Sequence, residues 1–451
     1  MSLGEQFKRI LEAQPVLHSA QSCLIAYSGG VDSHVLLHLC RASGLPVRAV
    51  HVHHGLQADA DDWDRHCAEI CRQLDIPYRC IHVDADPAPG ESPEDKARNA
   101  RYSALENELA ENEVLLTAHH QDDQAETFLL QLMRAAGPAG LASMPKLRPF
   151  GKGYHARPLL GFSQQMLMSY AEQHHLDWVE DPSNADTGFD RNYMRREVMP
   201  VLLRSWPGAN EAIARAAELQ QDTLEIIDAM AAVDLAAVST QQADGLSISK
   251  LGQLPQARQF NVLRYWINVA GMDKPRRNIL QEVITSVLPA SEDATPLVLW
   301  GSTEIRRYQD TLYVLPAINS HDIHHVYAWD GEQPLFIETL NMEMRLEQTA
   351  GRGLPQDIIV RGLTVRFRQG GEQLRPQGRQ HTQSLKKLMQ QAGIPPWQRN
   401  RIPLIYSDHR LVCVCGYWVA DAFSVNADQL GWSPVCQSLG TKKPVSRFRA
   451  E

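Results

Sequence analysis

The chain has 451 residues, 43% of them hydrophobic, so it can bury ordinary cores in domains of roughly 100–200 residues each. No run of about 18 uncharged apolar residues occurs, and we expect neither a transmembrane helix nor a secretory signal. The eight cysteines form no C-x-x-C pair and no framework spacing, which excludes a disulfide-stapled scaffold and predicts reduced thiols in a cytoplasmic protein.

The formal net charge of −9 is unevenly distributed along the chain. Residues 361–451 carry 14 Lys and Arg against 5 Asp and Glu, a net of +9, whereas the other 30 basic and 48 acidic residues leave −18. A basic C-terminal module on an acidic body is typical of a protein in which one part binds a polyanion and another does chemistry. A solvated basic surface without a partner is the alternative for this segment.

Residues 20–135 alternate short apolar runs with helical patterns, which predicts a parallel sheet flanked by helices. The predicted strands are 23–27, 47–52, 78–83 and 114–117, and the predicted helices are 34–41, 61–74, 94–111 and 121–134. Such a doubly wound sheet binds its ligands beyond the carboxyl ends of the strands. The residues that follow each strand are therefore the candidates for function.

The rest of the chain predicts further helices and then a change to strands. Residues 163–175, 209–237 and 255–270 have helical patterns, residues 303–315 are strand-like, and a β-rich region with a helix at 384–391 begins near residue 358. We interpret these patterns as an α/β catalytic domain at 1–215, a mostly helical small domain at 216–330 and a basic, β-rich α+β domain at 355–451.

The first strand is followed by Ser28-Gly29-Gly30-Val31-Asp32-Ser33 and by a helix predicted to open near His34. Two glycines allow a sharp turn that brings backbone N–H groups close to phosphate oxygens, and the helix N-terminus adds partial positive charge. The string matches neither G-x-x-x-x-G-K-S/T nor G-x-G-x-x-G. It predicts a phosphate-binding loop of another kind, against the alternative of a chance Ser-Gly-Gly turn.

The fourth strand is followed by His119 and His120 and then by a helix whose first turn holds Asp122 and Asp123. Clustered carboxylates at the carboxyl end of a strand are suited to Mg²⁺, which bridges phosphate oxygens, and Asp32 is a third candidate ligand. Capping is the alternative, since acids are favoured in the first turn of any helix. The two histidines either contact phosphate or a reacting base, or pack at the strand end.

His51, His53 and His54 lie at the end of the second strand and suggest a zinc hypothesis. Alternate residues of a strand point to opposite faces, so His51 and His53 would share one face and His54 would not. Contact with a nucleotide, for which His53 is the candidate, or a purely structural role fits this spacing better.

The hexapeptide at 28–33 resembles the PP-loop of the N-type ATP pyrophosphatases, which cleave ATP between the α- and β-phosphates and transfer AMP. Further strings resemble sequence blocks of one family among them, the tRNA(Ile)-lysidine synthetases. These strings are His53-His54-Gly55-Leu56, Ala97-Arg98 with Arg101-Tyr102, 119–127 (HHQDDQAET), 137–141 (GPAGL), Arg157-Pro158-Leu159-Leu160, 180–184 (EDPSN) and Arg191-Asn192. They keep the family's order over residues 24–200, and residues 384–388 (SLKKL) and 393–397 (GIPPW) resemble its last domain.

The resemblance implies an ATP-dependent carbon–nitrogen ligase. In this family, O2 of the wobble cytidine in a tRNA(Ile) with a CAU anticodon attacks the α-phosphate of ATP, and pyrophosphate leaves. The amine of L-lysine then attacks C2 of the adenylated base and expels AMP, which yields lysidine. The implied ligands are ATP, Mg²⁺, L-lysine and the tRNA, and a homodimer is an open expectation.

The resemblance also implies roles for individual residues. The ATP-binding candidates are Ser28, Gly29, Gly30, Val31, Asp32, Ser33 and His53, and the metal candidates are Asp32, Asp122 and Asp123. The catalytic candidates are Asp32, Asp122, Asp123, His119 and Arg98, and the candidates for binding the tRNA base or lysine are Arg101, Arg157, Glu180, Asp181 and Arg191. Arginines would steady phosphates or the base, and acids would meet the cationic lysine. Ion pairing for structural reasons is the competing role of these charged residues.

Two alternatives stay open. A PP-loop tRNA 2-thiolase would need C-x-x-C pairs or a reactive cysteine near its loops, and only Cys23, inside a strand, lies near one. A non-catalytic tRNA-binding protein on an ATPase fold would have no use for an intact loop at 28–33 or for Asp122 and Asp123.

Overall fold

The computed structural model describes residues 1–55, 59–87, 93–182, 186–240, 245–291 and 294–438. The chain divides into two compact units, Met1–Ala229 and Met230–Glu451. Three positions of the family-like strings, Leu56, Ser183 and Asn184, lie outside the described residues. None of the described helices is both long and apolar enough to cross a membrane.

The N-terminal unit alternates strands and helices, as the sequence predicts. Its strands are β1 (Cys23–Ala26), β2 (Val47–His53), β3 (Tyr78–His82), β4 (Val114–Leu116), β5 (Leu147–Phe150) and β6 (Gly153–Ala156). Its helices are α1 (Leu3–Ala13), α2 (Pro15–His18), α3 (Val31–Ala42), α4 (Ala60–Gln73), α5 (Pro93–Glu108), α6 (Gln121–Met133), α7 (Pro138–Leu141), α8 (Gln164–Gln173), α9 (Asp190–Tyr193) and α10 (Met199–Ser205), with a π-helical turn at Met194–Val198. A long helix, α11 (Ala209–Val238), begins in this unit and ends in the next.

The six strands form one sheet in the order β3-β2-β1-β4-β6-β5, parallel except for β5. Consecutive residues of β1 point to opposite faces. Cys23 and Ile25 pack with α1, α3, α4 and α8, whereas Leu24 packs with Leu105 of α5. Helices therefore cover both faces, which confirms the predicted doubly wound α/β fold.

The order of the strands reverses at β1, because β2 pairs with one edge of β1 and β4 with the other. Ligands of open parallel sheets bind in the crevice at such a reversal, beyond the carboxyl ends of the strands. The loop after β1 and the loop after β4 border this crevice. The predicted phosphate loop and the predicted acidic cluster are thus neighbours in space, although about 90 residues of chain separate them.

The C-terminal unit contains helices and four smaller antiparallel sheets among its described residues. Its helices are α12 (Ile248–Gly252), α13 (Gln256–Val269), α14 (Arg277–Glu282), α15 (Gln356–Val360), α16 (Leu385–Gln391) and α17 (Pro396–Arg399). Its strands are β7 (Leu246–Ser247), β8 (Leu297–Trp300), β9 (Thr303–Tyr308), β10 (Thr311–Pro316), β11 (Tyr327–Trp329), β12 (Leu335–Ile337), β13 (Met342–Ala350), β14 (Leu363–Arg366), β15 (Gln373–Leu374), β16 (Gln383–Ser384), β17 (Leu404–Ser407), β18 (Arg410–Val414), β19 (Trp418–Val419) and β20 (Leu430–Ser438).

The first of these sheets, β7-β10-β9-β8, packs against α13 and α14 around Trp266 and Ile305. The β-rich region that the sequence predicts near the C-terminus forms a five-stranded sheet, β11-β14-β17-β18-β19, beside a three-stranded sheet, β12-β13-β20. The prediction of reduced cysteines is wrong for one pair, because Cys415 and Cys436 form a disulfide in this region. Sequence spacing missed it, since the pair is 21 residues apart and is brought together only by the pairing of the sheets.

Candidate active site

The loop after β1 folds back sharply at Gly29, whose φ of +87° lies in the left-handed region that side chains disfavour. A Cβ added at Gly29 would also lie 3.0 Å from the Sγ of Cys67. The next helix begins at Val31 and not near His34, so the predicted start was three residues late. The first backbone N–H groups of α3 have no partner within the helix and therefore belong to the loop, where they suit an anion.

The two serines of the loop hold its shape. The hydroxyl of Ser33 donates to the carbonyl of Gly30 at 2.9 Å and accepts from the backbone N–H of Ser28 at 3.2 Å. The two hydroxyl oxygens are 3.0 Å apart. These bonds close the loop before any ligand binds, so a phosphate would meet donors that are already in place.

The segment after α8 lies against this loop, because the N–H of Val179 donates to the carbonyl of Gly29 at 3.0 Å. Glu180 and Asp181 follow directly, the first exposed and the second half-buried. The two acids predicted to meet lysine therefore directly follow a residue that is hydrogen-bonded to the phosphate loop.

His120 lies among three carboxylates and is 1% exposed. Its ring nitrogens are 3.5 Å from Asp32, 3.6 Å from Asp122 and 3.4 Å from Asp123. Burial opposes the charged form of the ring, but the contacts with Asp122 and Asp32 outweigh it and raise the pKa of His120 to about 10. The three metal candidates do converge, and the imidazole of His120 lies between them.

Asp122 and Asp123 have further partners that fix their orientation. Asp122 accepts from the N–H of Gln164 at 2.8 Å and from the side-chain amide of Asn210. Asp123 accepts from the backbone N–H of His120 at 3.1 Å, so it also caps α6. Capping, offered as the alternative to a functional role, is present together with the cluster.

Two arginines bind the far side of the cluster. Arg191 reaches Asp123 at 3.0 Å, and Arg195 reaches it at 2.9 Å. Both also pair with Glu126, at 3.1 and 2.6 Å. Burial raises the pKa of Asp123, but the positive charges of His120 and Arg191 prevail and lower it to about 2. Arg191, a predicted substrate ligand, is placed in an ion-pair network of the protein itself.

The carboxylates fit a magnesium ion held mainly by phosphate. Asp32 Oδ1 is buried and has no hydrogen-bond partner among the described residues, which leaves one negative oxygen for a cation. In the described part of the chain, no group of three or more His, Cys, Asp or Glu side chains has the arrangement of an all-protein metal site. Mg²⁺ needs none when substrate phosphates and water complete its shell, because one or two carboxylates then suffice.

His119 is half-buried, and its Nδ1 faces buried side chains at the end of β4 and in β6. Its Nδ1 is 2.8 Å from the hydroxyl of Thr117, which is also 2.8 Å from Nε2 of His155. Arg157 completes a row of four hydrogen-bonded side chains: His119, Thr117, His155 and Arg157. Its Nη2 is 3.2 Å from Nδ1 of His155, and its Nη1 donates to the carbonyl of Pro145 at 2.8 Å. Arg157, another predicted substrate ligand, is only 4% exposed.

Arg98 and Arg101 lie on α5, near the end of β2. The guanidinium of Arg98 stacks 5.1 Å from the ring centroid of Tyr102. Arg101 Nε donates to Nε2 of His54 at 3.3 Å, and burial together with Arg101 lowers the pKa of His54 to about 4. Both arginines are exposed and available to an anionic ligand.

The neighbouring histidines have separate roles. His53 Nε2 is 3.1 Å from Asp61, and His51 Nδ1 donates to the carbonyl of Tyr27 at 3.0 Å. His51 therefore faces the protein backbone. His53 is buried beside the same strand end as the arginines.

Sequence reasoning missed four members of the site: Thr117, His155, Arg195 and Asn210. Arg195 carried a usable signal, since it lies four residues after Arg191 and helical spacing places both on one face. Thr117 also carried a signal, since it ends the predicted fourth strand two residues before His119. His155 and Asn210 carried none, because each reaches the site through packing between elements distant in sequence.

Three family models match the chain. They describe a PP-loop domain at residues 2–202, a TilS substrate binding domain at 246–313 and a TilS substrate C-terminal domain at 363–436. The tRNA(Ile)-lysidine synthase of Coxiella burnetii is 42% identical over 430 residues, covering 94% of this chain and 95% of that protein. That of Methylococcus capsulatus is 39% identical over 429 residues, covering 93% and 98%.

Two solved structures show partial likeness. The U34-tRNA thiolase NcsA from Methanococcus maripaludis, with its 4Fe-4S cluster, overlaps 48% of this chain and 78% of its own at a TM-score of 0.41 and 19% identity. The crystal structure of a TilS C-terminal domain overlaps 26% of this chain and 100% of its own at a TM-score of 0.22 and 20% identity.

Proposed function

This chain belongs to the tRNA(Ile)-lysidine synthase family, and from that premise we propose how its site works. It is an ATP-dependent carbon–nitrogen ligase that attaches L-lysine to C2 of the wobble cytidine of tRNA(Ile) with a CAU anticodon. The reaction runs through an adenylated cytidine and releases pyrophosphate and AMP. Lysidine is the product.

The observation that carries this proposal is the position of the two loops at the strand reversal. The loop at 28–33 offers backbone N–H groups and serine hydroxyls to the pyrophosphate end of ATP. The cluster of Asp32, Asp122, Asp123 and His120 lies across the same crevice. A nucleotide bound by the first loop would present its α-phosphate towards the second, where cytidine O2 attacks.

The residues of the site stabilise charge and fix geometry more than they exchange protons. Asp32, Asp122 and Asp123 would hold Mg²⁺, which neutralises charge on the departing pyrophosphate. Arg98 and Arg101 are free to meet phosphates of the nucleotide or the tRNA. Glu180 and Asp181, next to the phosphate loop, would hold the ammonium group of lysine. Correct alignment of three substrates is the main contribution of such a site.

The thiolase alternative needs a reactive thiol, and among the described residues six cysteines are free and two form a disulfide. Burial raises the pKa of Cys23 and Cys71 to about 12, and burial followed by the nearby Asp64 does the same for Cys80. The thiols of Cys40, Cys67 and Cys413 are shifted upward as well, also by burial. Sulfur transfer needs a thiolate, which these environments disfavour near neutral pH.

We test the reaction by incubating the protein with ATP, Mg²⁺, L-lysine and an unmodified CAU-anticodon tRNA(Ile), and measuring the mass of the wobble nucleoside. We expect a gain equal to condensed lysine, and its loss in Asp32→Ala, because that variant lacks the free carboxylate oxygen of the site. Asp222→Ala, at an exposed position of α11, is the matched control and should retain full activity.

An unchanged nucleoside with folded protein and competent tRNA would overturn the proposed reaction. A tRNA that binds without pyrophosphate release would support the alternative of a non-catalytic tRNA-binding protein. We further expect three domains, at 1–215, 216–330 and 355–451. We also expect a cytoplasmic location and a homodimer. Sedimentation equilibrium tests the homodimer.

A further inference from the structure

The hydroxyl of Thr117 lies between two imidazole rings at the carboxyl end of β4. It is 2.8 Å from Nδ1 of His119 on one side and 2.8 Å from Nε2 of His155 on the other. Thr117 is buried, and no other hydrogen-bond partner of its hydroxyl exists among the described residues. One hydroxyl has a single hydrogen, so it donates to one ring and accepts from the other.

The direction of these bonds follows from Arg157. A guanidinium has only donors, so the Nη2 of Arg157, 3.2 Å from Nδ1 of His155, must donate and that nitrogen must accept. A histidine that accepts at Nδ1 is neutral and carries its hydrogen on Nε2. His155 therefore donates from Nε2 to the oxygen of Thr117.

The bond between Thr117 and His119 has a fixed direction as well. Because the oxygen of Thr117 already accepts from His155, its own hydrogen is directed to Nδ1 of His119. His119 must then be neutral as well, with its hydrogen on Nε2. Burial, reinforced by the charges of Arg157 and Arg191 and opposed by Asp123, lowers the pKa of His119 to about 3, which agrees with a neutral ring.

The anchor of this row is rigid. Arg157 donates from Nη1 to the carbonyl of Pro145 at 2.8 Å and from its backbone N–H to Lys146 at 2.8 Å. His155 lies in β6, is 0% exposed and packs between the rings of Tyr102 and Phe150, with centroids 5.8 Å away in each case. A reversal of the bonds would require the arginine to accept, which it cannot do.

His119 is the one member of the row that reaches the crevice. It is half-buried, and its Nε2 has no hydrogen-bond partner in the part of the chain that the structure describes. The negative charge of Asp123 and the positive charges of Arg157, Arg191 and Arg98 act on its ring, so positive charges outnumber negative ones. An N–H group in such surroundings is matched to a negatively charged oxygen.

The geometry points to a one-way hydrogen-bond relay, from Arg157 through His155 and Thr117, that fixes His119 as the neutral Nε2–H tautomer and makes it a donor to a phosphate oxygen of ATP. This inference rests on the proposed function for the identity of the ligand. His119 is the residue that touches substrate. Arg157, His155 and Thr117 are positioning residues, and Arg157 acts inside the protein instead of on the tRNA base.

The first test changes Thr117 and reads the tautomer directly. In 15N-histidine-labelled protein, long-range proton–nitrogen spectra report which ring nitrogen carries hydrogen, and His119→Gln identifies the His119 signals by their loss. We expect only the Nε2–H form in the wild type, a measurable share of the Nδ1–H form beside it in the isosteric Thr117→Val, which leaves Nδ1 without a donor, and a return of the wild-type pattern in Thr117→Ser. Thr223→Val, on the exposed face of α11, is the matched control.

Lysidine formation is measured on the same proteins. Thr117→Val should lower kcat/KM for ATP about tenfold or more, the usual effect of removing a residue that orients a histidine, and Thr117→Ser should regain most of it. The KM for lysine should not move. A wild-type tautomer in Thr117→Val, or kinetics equal to those of Thr223→Val, would overturn the relay.

A second pair of variants does not depend on the fold of Thr117→Val. A glutamine amide places a donor near Nε2 of the histidine it replaces, whereas an asparagine amide is too short. His119→Gln should therefore retain at least tenfold more activity than His119→Asn. Equal loss in both would mean that His119 serves as a base, which contradicts the inference.

If the wild type keeps the Nε2–H tautomer but forms no lysidine, the proposed function fails and the relay stands.

Discussion

The position of His120 in the site differs from the expectation that its sequence pattern gives. The pattern of acids after β4 predicts a metal cluster, and the structure places the imidazole of His120 among those acids. Asp32 keeps one oxygen free. A histidine between carboxylates holds them together at a separation that their mutual repulsion would otherwise oppose.

Arg195 gives a prediction at this scale. Arg195→Ala removes two contacts from the buried Glu126 and one from Asp123, and we expect a loss of about 2 kcal/mol in the free energy of unfolding. This loss is small for a broken buried ion pair, because Arg191 still pairs with both acids. Urea unfolding measures it. Arg196→Ala is the exposed neighbour and should change stability by less than about 0.5 kcal/mol; equal effects would contradict the assigned contacts.

The strands near the site are held in register by a contact at their amino ends. Arg48 of β2 binds Glu113, just before β4, through Nε at 2.8 Å and Nη2 at 2.6 Å. Ser22, before β1, donates to the same carboxylate at 3.1 Å. Three neighbouring strands thus meet at one buried acid, opposite the end that carries the site.

Glu113→Gln should destabilise the protein by about 2–3 kcal/mol at neutral pH, because it leaves the half-buried Arg48 with only Glu108. Burial opposes ionisation of Glu113, but the bonds from Arg48 and from the N–H of Ala110 hold its pKa below the usual 4.5. A carboxylate with a lowered pKa contributes its full stability above the unfolded value and loses it as pH falls through the folded value.

The lowered pKa of Glu113 sets how the stability of the protein should depend on pH. The difference in unfolding free energy between wild type and Glu113→Gln should be constant above about pH 5 and shrink below pH 4.5. Chemical unfolding at a series of pH values measures it, with Glu111→Gln, an exposed neighbour, as the control. A difference that grows on acidification would refute the assignment.

Strands β5 and β6 were not predicted from the sequence. Their residues, 147–150 and 153–156, carry little apolar alternation, yet they complete the sheet beside β4. Gly153 is required there, because a Cβ at this position would lie 2.0 Å from the carbonyl oxygen of Glu113. A short strand at a sheet edge gains its stability from its neighbour, and sequence periodicity does not report a neighbour.

At the scale of the whole molecule, the basic charge of residues 361–451 suits the phosphate backbone of a tRNA. Lys386 and Lys387 of α16 are exposed and form no ion pair within the described residues. The basic residues 442–449 lie outside those residues. Electrostatic contacts of this kind weaken with salt, because binding releases counterions from the nucleic acid.

The double variant Lys386→Glu/Lys387→Glu should weaken tRNA binding and flatten the salt dependence of its affinity by roughly one to two in log–log slope. ATP-dependent turnover at saturating tRNA should be unchanged. Filter binding at several salt concentrations measures both affinity and slope. Lys8→Glu/Arg9→Glu, exposed on α1, makes the same charge change elsewhere, and an equal loss in that control would show that only net charge matters.

Four features could be predicted from the amino-acid sequence: the alternating strands and helices, the phosphate loop at 28–33, the acidic turn after β4 and the family of the chain. All of these are local, since they depend on periodicity, glycine positions and short strings. Three other features are visible only in the folded chain: His120 lies between the acids, Arg191 pairs with Asp123, and Arg157 is buried behind His155. These contacts join elements far apart in sequence, and their partners are chosen by packing at the strand reversal, which no local pattern encodes.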